Sequence, residues 1–243
     1  MGIEQNEWLG EDRSKVNAYL DISEIVLVER RRSIKILVDL FTHHFRGRDK
    51  LNLLDLGCGD AIVTSYIQSR SPRNNFYLLD GSTFMIERAR ENLPGENTTF
   101  VHQTFEDYTV SPPSKIDYDF VYSAYAIHHL DHEEKKKLYG RIFEDLGSGG
   151  LFLNLDVVKP PTDRVERLQF LMWSDWIEEF LTNSGRSSEV GKFRNTPEIY
   201  KKKGENKPSE LWYQLDLLAE AGFIDVDCYY RYGIFTIFGG VKA

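Results

Sequence analysis

The chain has 243 residues, a length that suits one α/β domain with an added segment, and its hydrophobic content of 41% indicates a globular protein with a sizeable core. The formal net charge of −8 disfavours a nucleic-acid partner, because proteins that bind nucleic acids usually present a basic face. The cysteine content, Cys58 and Cys228, argues against a disulfide framework and favours a cytoplasmic location. No apolar run approaches the ~20 residues that span a membrane, and the acidic, polar N-terminus is unlike a signal peptide.

The first helical pattern covers residues 11–46, where Ile34, Leu37 and Phe41 recur at helical spacing. We predict that this segment forms a helical cap packed on the edge of a sheet. The basic run Arg30–Arg32 within it is interpreted as a solvated face or a set of local ion pairs.

The most informative stretch is Leu51–Ala61, an apolar run that carries one acid and then passes through Gly57-Cys58-Gly59 into a helix. The run predicts a strand buried on both faces, and glycines at its end let backbone N–H groups approach a ligand closely. The turn fits NAD poorly, because the dinucleotide fingerprint needs a small residue where Ile62 stands. Asp55, near the strand end, can pair with a cation such as the ammonium group of an amino acid.

The second predicted strand, Asn75–Asp80, ends in an acid about 20 residues beyond Gly59. An acid at this spacing accepts hydrogen bonds from ribose hydroxyls in nucleotide-binding α/β proteins. Capping of the following helix by Asp80 is the alternative, but Ser82 can serve as that cap. We therefore predict that Asp80 binds a ribose.

Local signals mark several helix ends along the rest of the chain. Asp131 and Glu134 form the pattern of a capping box, and Gly147–Gly150 are predicted to end the same helix in a turn. Ser209 is predicted to cap the last helix and Gly222 to end it. Two alternating segments after Gly222 predict a hairpin.

Four stretches of the sequence resemble the class I S-adenosylmethionine (SAM)-dependent methyltransferases. They are LDLGCGDA, which is similar to motif I of that family, YLLDGSTFMIERAR, DFVYSAYAIHHL and LLAEAGFIDVDCYY. The resemblance implies a Rossmann-like, doubly wound, seven-stranded mixed sheet with a C-terminal antiparallel hairpin, joined by N-terminal helices and a helical insertion. It also implies an enzyme that transfers the methyl group of SAM to a small-molecule acceptor and leaves S-adenosyl-L-homocysteine (SAH).

The same resemblance implies a set of SAM-binding residues at the ends of the predicted strands. They are Asp55, Gly57, Cys58, Gly59, Asp80, Gly81, Met85, Thr104, Phe105, Ser123, Ala124, Tyr125 and His128. Met85 is expected beside the adenine. Thr104 stands where the family often has an acid that binds the adenine amino group, and Phe105 is expected to flank the ring. The residues that follow the fourth strand are expected to face the sulfonium and the acceptor.

The general base is left open by the sequence. Its candidates are Tyr125, His128, Glu178 and Glu179. No metal site is predicted, because adjacent histidines on a helix point apart and His129 therefore cannot easily share a metal with His128. A packing role for both histidines is the alternative.

Residues 1–243 are expected to form a single methyltransferase domain, with residues 157–208 as an insertion that covers the carboxyl edge of the sheet. The aromatic residues considered for an acceptor pocket in this insertion are Phe170, Trp173 and Trp176. A purely structural cap is the alternative. In the resembling family, N-terminal helices often close over SAM, which makes Tyr19 and Arg13 candidates for contact with it.

Two other functions stay open at this point. One is a SAM-modifying enzyme that resembles the carboxy-SAM synthases, although the sequence does not identify their carboxylate-binding arginine. The other is a non-catalytic SAM-binding protein on the same fold, because fold alone does not decide function. A monomer and a homodimer are both compatible with the sequence.

Overall fold

The computed structural model describes residues 13–113 and 116–243, without the side chains of Arg13, Lys15 and Val16. The expected contact between Arg13 and a ligand lies outside the side chains that are described. None of the helices within these two ranges combines the length and the apolar character that a membrane span requires.

The centre of the fold is a seven-stranded sheet with the order β3-β2-β1-β4-β5-β7-β6. Its strands are β1 Asn52–Leu56, β2 Asn75–Asp80, β3 Thr98–His102, β4 Tyr118–Ala124, β5 Leu146–Val157, β6 Ile224–Tyr232 and β7 Phe235–Val241. The first five strands pair in parallel, whereas β7 pairs antiparallel with both β5 and β6. The predicted mixed sheet with an antiparallel hairpin at one edge is confirmed.

Helices pack on both faces of the sheet and across one of its edges. They are α1 Arg13–Val26, α2 Arg30–His44, α3 Ile62–Arg70, α4 Thr83–Asn92, α5 Phe105–Val110, α6 His132–Asp145, α7 Asp163–Asn183, α8 Val190–Phe193, α9 Thr196–Lys202 and α10 Leu211–Ala221. Short 3₁₀ turns lie at Ile127–His129 and Ser187–Glu189.

Strand β1 is buried on both faces, as its apolar run predicts. Leu53 belongs to the core under α2, α3 and α4, whereas Leu54 and Leu56 belong to the core under α6 and α10. This division follows from strand geometry, because successive side chains point to opposite faces of a sheet. A near-continuous apolar run is what a central parallel strand needs when helices cover both its faces.

The N-terminal helical pattern forms the two helices α1 and α2, which are separated where Glu29 takes a left-handed φ of 53°. Gly147–Gly150 lie inside β5, which begins directly after α6, so the prediction of a turn there was wrong. Gly149, with a φ of 74°, lets the chain change direction within that strand.

Two of the predicted helix-end signals are confirmed, and a third is wrong. The capping box of Asp131 and Glu134 is present, with both reciprocal hydrogen bonds at the start of α6. Gly222 ends α10 with a φ of 109°, and a Cβ there would lie 2.7 Å from the ring of Phe143. Ser209 does not cap α10, because the helix begins two residues later and Ser209 is buried.

The insertion and the N-terminal helices form one cap over the carboxyl edge of the sheet. Trp173 on α7 donates from Nε1 to the carbonyl of Val26 at 2.8 Å, which joins the insertion to the end of α1. Trp173 belongs to a hydrophobic cluster that also contains Val157, the last residue of β5, and Phe235, the first residue of β7. Because β7 runs antiparallel, both residues mark the edge at which the parallel strands end.

Candidate functional site

A cavity of about 430 Å³ lies at the carboxyl ends of β1, β2, β4 and β5, under α1, α2, α8 and α9. This volume is in the usual range for a small-molecule site, and the position is the one at which open α/β sheets bind ligands. Every SAM-binding residue implied by the resemblance lines the cavity except Ser123. Ser123 is fully buried and donates from its hydroxyl to the carbonyl of Leu56 at 2.7 Å.

The glycine turn is held against β2 and has no room for a side chain at its first glycine. Gly57 has a φ of 72°, and a Cβ there would lie 2.5 Å from Ala126 Cβ and 3.1 Å from Phe105 Cζ. The N–H groups of Gly57 and Cys58 both donate to the carbonyl of Leu79, at 2.8 and 3.0 Å. Beyond it, Gly59 has a φ of 53° and open space at its Cβ position. The turn therefore presents bare backbone to the cavity.

Asp80 links this turn to the start of α4. Its Oδ2 accepts from the N–H of Gly59 at 2.9 Å, and its Oδ1 accepts from the N–H of Ser82 at 2.8 Å. Burial raises the pKa of Asp80, and the hydrogen bonds from Ser82 and Gly59 oppose that rise. Ser82, not Asp80, caps α4 by accepting from the N–H of Met85. Each carboxylate oxygen keeps a second lone pair, so Asp80 can still accept from two ligand hydroxyls.

Asp55 is a buried carboxylate that lies beside the hydroxyls of Thr64 and Tyr122. It is 2% exposed, and its Oδ2 accepts from the Thr64 hydroxyl at 2.6 Å. Thr64 Oγ1 in turn lies 2.7 Å from the hydroxyl of Tyr122. Burial raises the pKa of Asp55 to about 7, and the hydrogen bond from Thr64 opposes the rise. A cation in the cavity would favour the ionised form of this group.

Arg30 is a cavity residue that the sequence interpretation missed. Its side chain is only 11% exposed, and its Nη1 donates to Glu24 Oε1 at 2.8 Å. Its Nε is buried and has no hydrogen-bond partner among the residues that the structure describes. Arg31 and Arg32 remain solvated, at 78% and 68% exposed. The signal was present in the spacing, because Arg30 lies four residues before Ile34 and so on the buried stripe of α2.

Tyr19 of α1 lies beside this arginine on the cavity wall. Burial raises the pKa of Tyr19 to about 12, and the positive charge of Arg30 opposes that rise. The N-terminal cap thus contributes a guanidinium and a phenol to the cavity, opposite the acidic strand ends.

Part of the cavity wall near the glycine turn is apolar. Met85 is 7% exposed and lines the cavity together with Phe105. The Thr104 hydroxyl caps α5 by accepting from the N–H of Asp107 at 3.1 Å, and Thr104 also lines the cavity. The acid that the resembling family often places here is therefore replaced by a residue whose side chain holds a helix end.

Tyr125 and the 3₁₀ turn after it form the floor of the cavity. Tyr125 takes a left-handed φ of 57°, and its N–H donates to the carbonyl of Leu155 at 2.8 Å. This backbone conformation is costly for a residue with a large side chain, and such strain clusters at ligand sites. Burial raises the pKa of the Tyr125 phenol, so the group stays neutral.

His128 is bound to Asp156 through two hydrogen bonds. Its backbone N–H donates to Oδ2 at 2.9 Å, and its Nδ1 lies 2.6 Å from Oδ1. Asp156 is 1% exposed; burial alone raises its pKa, but the charge and hydrogen bond of His128 hold the pKa below its ordinary value. A proton on Nδ1 would face the carboxylate, and in the neutral imidazole Nε2 is then the nitrogen that can accept a proton.

His129 differs from its neighbour although the two rings are 4.1 Å apart. Its Nδ1 lies 3.1 Å from the carbonyl of Glu205, so this nitrogen donates. Burial, and then the charge of His128, lower the pKa of His129 to about 3. His129 is thus neutral near pH 7. Among residues 13–113 and 116–243, no cluster of three or more His, Cys, Asp and Glu side chains could hold a metal.

The insertion supplies an aromatic wall, but only part of the predicted set reaches the cavity. Trp173 lines it, together with Val157, Phe193, Tyr200 and Phe235. Phe170 and Trp176 do not; Phe170 packs edge-on against Trp173, and Trp176 stacks on Phe180. Glu178 and Glu179, considered as bases, also lie outside the cavity, and Glu178 is 3.7 Å from Arg194.

Comparison with known proteins matches residues 53–150 to the methyltransferase domain family. A malonyl-acyl-carrier-protein O-methyltransferase from Ilyobacter polytropus is 30% identical over 114 residues, which are 46% of this chain and 40% of that protein. The chain therefore matches less than half the length of this relative. A carboxy-S-adenosyl-L-methionine synthase from Staphylococcus epidermidis is 20% identical over 234 residues, 94% of this chain and 93% of that protein.

Among solved structures, an O-methyltransferase family protein from Burkholderia thailandensis is similar with a TM-score of 0.68 and 15% identity. The alignment covers 100% of this chain and 64% of that one. At this identity the likeness concerns the fold, and it extends through both the N-terminal helices and the insertion.

Proposed function

Because its methyltransferase domain places the chain in the class I SAM-dependent methyltransferase family, we propose that the protein transfers the methyl group of SAM to a small organic acceptor. One observation carries the proposal. A single cavity brings together two acidic strand ends, a bare glycine turn, a buried arginine and an aromatic chamber. The acidic strand ends, the glycine turn and the arginine suit SAM, and the aromatic chamber suits an apolar acceptor.

The residues present fit the charged and polar groups of SAM. SAM ends in an amino acid, and Asp55 and the unpartnered Nε of Arg30 offer a negative and a positive partner for its ammonium and carboxylate. Asp80 would accept from the ribose hydroxyls. Met85 and Phe105 would enclose the adenine, whose flat ring prefers apolar contacts.

SAM supplies a methyl group on a positively charged sulfur, which a nucleophile on the acceptor can attack. The protein's contribution is then orientation and exclusion of water. Tyr125, held in a strained conformation between the glycine turn and the aromatic wall, would fix the position at which acceptor and methyl group meet. The buried wall of Trp173 and Phe235 would keep solvent from that position.

His128 is the residue that we assign to the acceptor's proton. With Nδ1 bound to Asp156, its Nε2 can accept a proton from an acceptor O–H or N–H group. The buried carboxylate then stabilises the imidazolium that forms. Burial lowers the pKa of His129 to about 3, which makes it a weak base, and Glu178 and Glu179 lie outside the cavity. Of the candidate bases that the sequence left open, our proposal keeps only His128.

We further propose that the N-terminal helices of residues 11–46 and the insertion of residues 157–208 act as a lid within a single domain. Trp173 binds Val26 across the two segments, and Phe193 and Tyr200 of the insertion line the cavity. Closure of these elements over the strand ends would exclude water during transfer. The proposal also includes a cytoplasmic location, which two free thiols favour.

Titration with SAM and NAD, followed by a turnover assay, tests the proposal. We expect SAM to bind and NAD not to bind, because the turn and Asp55 suit an amino acid end. With a panel of small acceptors, SAH release should accompany one added methyl group on one acceptor, detected by mass spectrometry. Tight binding of NAD without SAM binding would contradict the assignment of the cavity.

The carboxy-SAM synthase relative supports a second candidate function, because it matches almost the whole chain. The buried, unpartnered Nε of Arg30 could equally bind a carboxyl group added to the cofactor. This function predicts a modified cofactor with an added carboxyl group instead of SAH with a methylated acceptor. A non-catalytic protein predicts SAM binding with neither product, so mass spectrometry of the reaction mixture separates all three.

A further inference from the structure

One carboxylate on the cavity wall lacks hydrogen-bond donors. Both side-chain oxygens of Glu205 are buried, and neither has a hydrogen-bond partner within the described part of the chain. The residue lines the cavity, and its side chain is 12% exposed. A buried acceptor left without a donor is destabilising, and more so when it is charged. An unpaired carboxylate beside a cavity therefore indicates a ligand that supplies donors.

Lys203 does not meet this requirement. Its Nζ is 3.7 Å from Glu205 Oε1, beyond hydrogen-bond distance, and its side chain is 48% exposed. Ion pairs of this kind contribute at most about 1 kcal/mol, because water screens the charge. The oxygens of Glu205 thus keep their capacity to accept hydrogen bonds.

Tyr200 provides a second polar group at the same wall. Its hydroxyl is buried and has no hydrogen-bond partner within residues 13–113 and 116–243, and the residue lines the cavity. Its ring meets Trp173 edge-on at 5.7 Å and lies 6.3 Å from the ring of His128. Burial raises the pKa of this phenol, so it remains a neutral donor and acceptor.

Backbone contacts fix both residues to the 3₁₀ turn that carries His128. The carbonyl of Glu205 accepts from His129 Nδ1 at 3.1 Å. The carbonyl of Tyr200 accepts from Asn206 Nδ2 at 2.9 Å, and the N–H of Lys207 donates to the carbonyl of His128 at 2.8 Å. The carboxylate, the phenol and the assigned base are therefore held in one rigid arrangement before any ligand binds.

We propose that Glu205 and Tyr200 bind a protonated amine on the methyl acceptor, which is therefore a small amine with an apolar body. The inference rests on the proposed function and adds the chemical class of the acceptor. A carboxylate in a cavity that is also lined by the rings of Trp173 and Tyr200 matches an ammonium group, which forms charge-assisted hydrogen bonds and cation–π contacts. A neutral analogue would leave the buried charge unpaired, and an anionic one would be repelled.

Binding of matched probes to the protein saturated with SAH tests this inference. The probes are arylalkylamines of increasing chain length, the corresponding alcohols and the corresponding carboxylates, titrated by calorimetry. We expect the best amine to bind about tenfold to a hundredfold more tightly than its alcohol, the range for a charge-assisted hydrogen bond at a buried site. Equal affinity for amine and alcohol would overturn the inference. Failure to bind SAH would instead contradict the proposed function.

Variants of the two residues supply the decisive comparison. Glu205→Gln should lose most of the preference for the amine, Tyr200→Phe a smaller part, and neither should change SAH affinity. Glu198→Gln, on the exposed face of α9, is the matched control and should keep the preference. Glu205→Gln should also retain or raise the melting temperature, because it removes a buried charge without donors. A fall in melting temperature with an unchanged amine preference would show a structural pair with Lys203 and overturn the inference.

Discussion

SAM binding should weaken as the pH falls below 7, and Asp55 should be the cause. The pKa of this buried carboxylate is about 7 in the free protein. Between about pH 7.5 and about pH 6, its ionised fraction falls from roughly three quarters to roughly one tenth. Because an ammonium pairs with the ionised form, affinity should fall roughly eightfold, about 1.2 kcal/mol.

The stability of the free protein should depend on pH in the opposite sense. The pKa of Asp55 is raised in the folded state above its ordinary value of 3.8, so the folded protein binds a proton that the unfolded chain has released. Stability from this group is therefore greatest at low pH and declines as pH rises through the window from 3.8 to about 7. SAM, by pairing with the ionised carboxylate, should stabilise the protein more at pH near 7.5 than at pH near 6.

Calorimetric titration at both pH values, with Asp55→Asn as the comparison, measures the effect. The variant cannot ionise at this position, so its affinity should be lower near pH 7.5 and should change little on acidification. A residual change is expected from Asp80, whose pKa burial also raises. An Asp55→Asn variant with the same pH dependence as the unchanged protein would refute the assignment of the ammonium to Asp55.

Four further results are expected. Asp80→Ala should weaken SAM binding about tenfold to a hundredfold, because charge-assisted hydrogen bonds contribute roughly 1.5–3 kcal/mol; unchanged affinity in calorimetry would exclude the ribose role. Gly57→Ala should lower both the melting temperature and SAM affinity, because the added Cβ would lie 2.5 Å from Ala126 and the left-handed backbone costs about 1–2 kcal/mol. A fully stable variant with unchanged affinity would contradict the close packing of the turn. His128→Asn should reduce turnover roughly 10²- to 10⁴-fold while SAM affinity stays the same, provided that the acceptor reacts through an O–H or N–H group. An active variant would remove His128 as the base. SAH should protect Ser184–Arg194 from proteolysis, and protection that no ligand alters, in a protein that binds SAH, would favour a purely structural cap over a lid.

Local patterns predicted the parts of the site that depend on local geometry. The passage from β1 through Gly57 and Gly59 into α3 follows from an apolar run, two glycines and a helix start that are adjacent in the chain. The capping box of α6 likewise involves residues three positions apart. Such features need no knowledge of the remaining fold, because the atoms that interact are neighbours in sequence.

The parts that could not be predicted depend on contacts between distant segments. Arg30 lies in a basic run that resembles a solvated face. Its spacing from Ile34 indicates burial, but its place at the cavity depends on the packing of α2 over the strand ends. Glu205 lies in a polar, lysine-rich stretch, and it is joined to the site by a hydrogen bond between its carbonyl and His129, which is distant in the sequence. Trp176 is the opposite case. It was considered for an acceptor pocket, but its ring stacks on Phe180 and does not line the cavity.

A crystal structure of the protein with SAH tests the central claim most directly. We expect the amino group of SAH beside Asp55, its carboxylate at the Nε of Arg30, its ribose hydroxyls on Asp80 and its adenine between Met85 and Phe105. The sulfur should then face Tyr125. SAH bound outside this cavity, or bound within it with the ribose away from Asp80, would contradict the account.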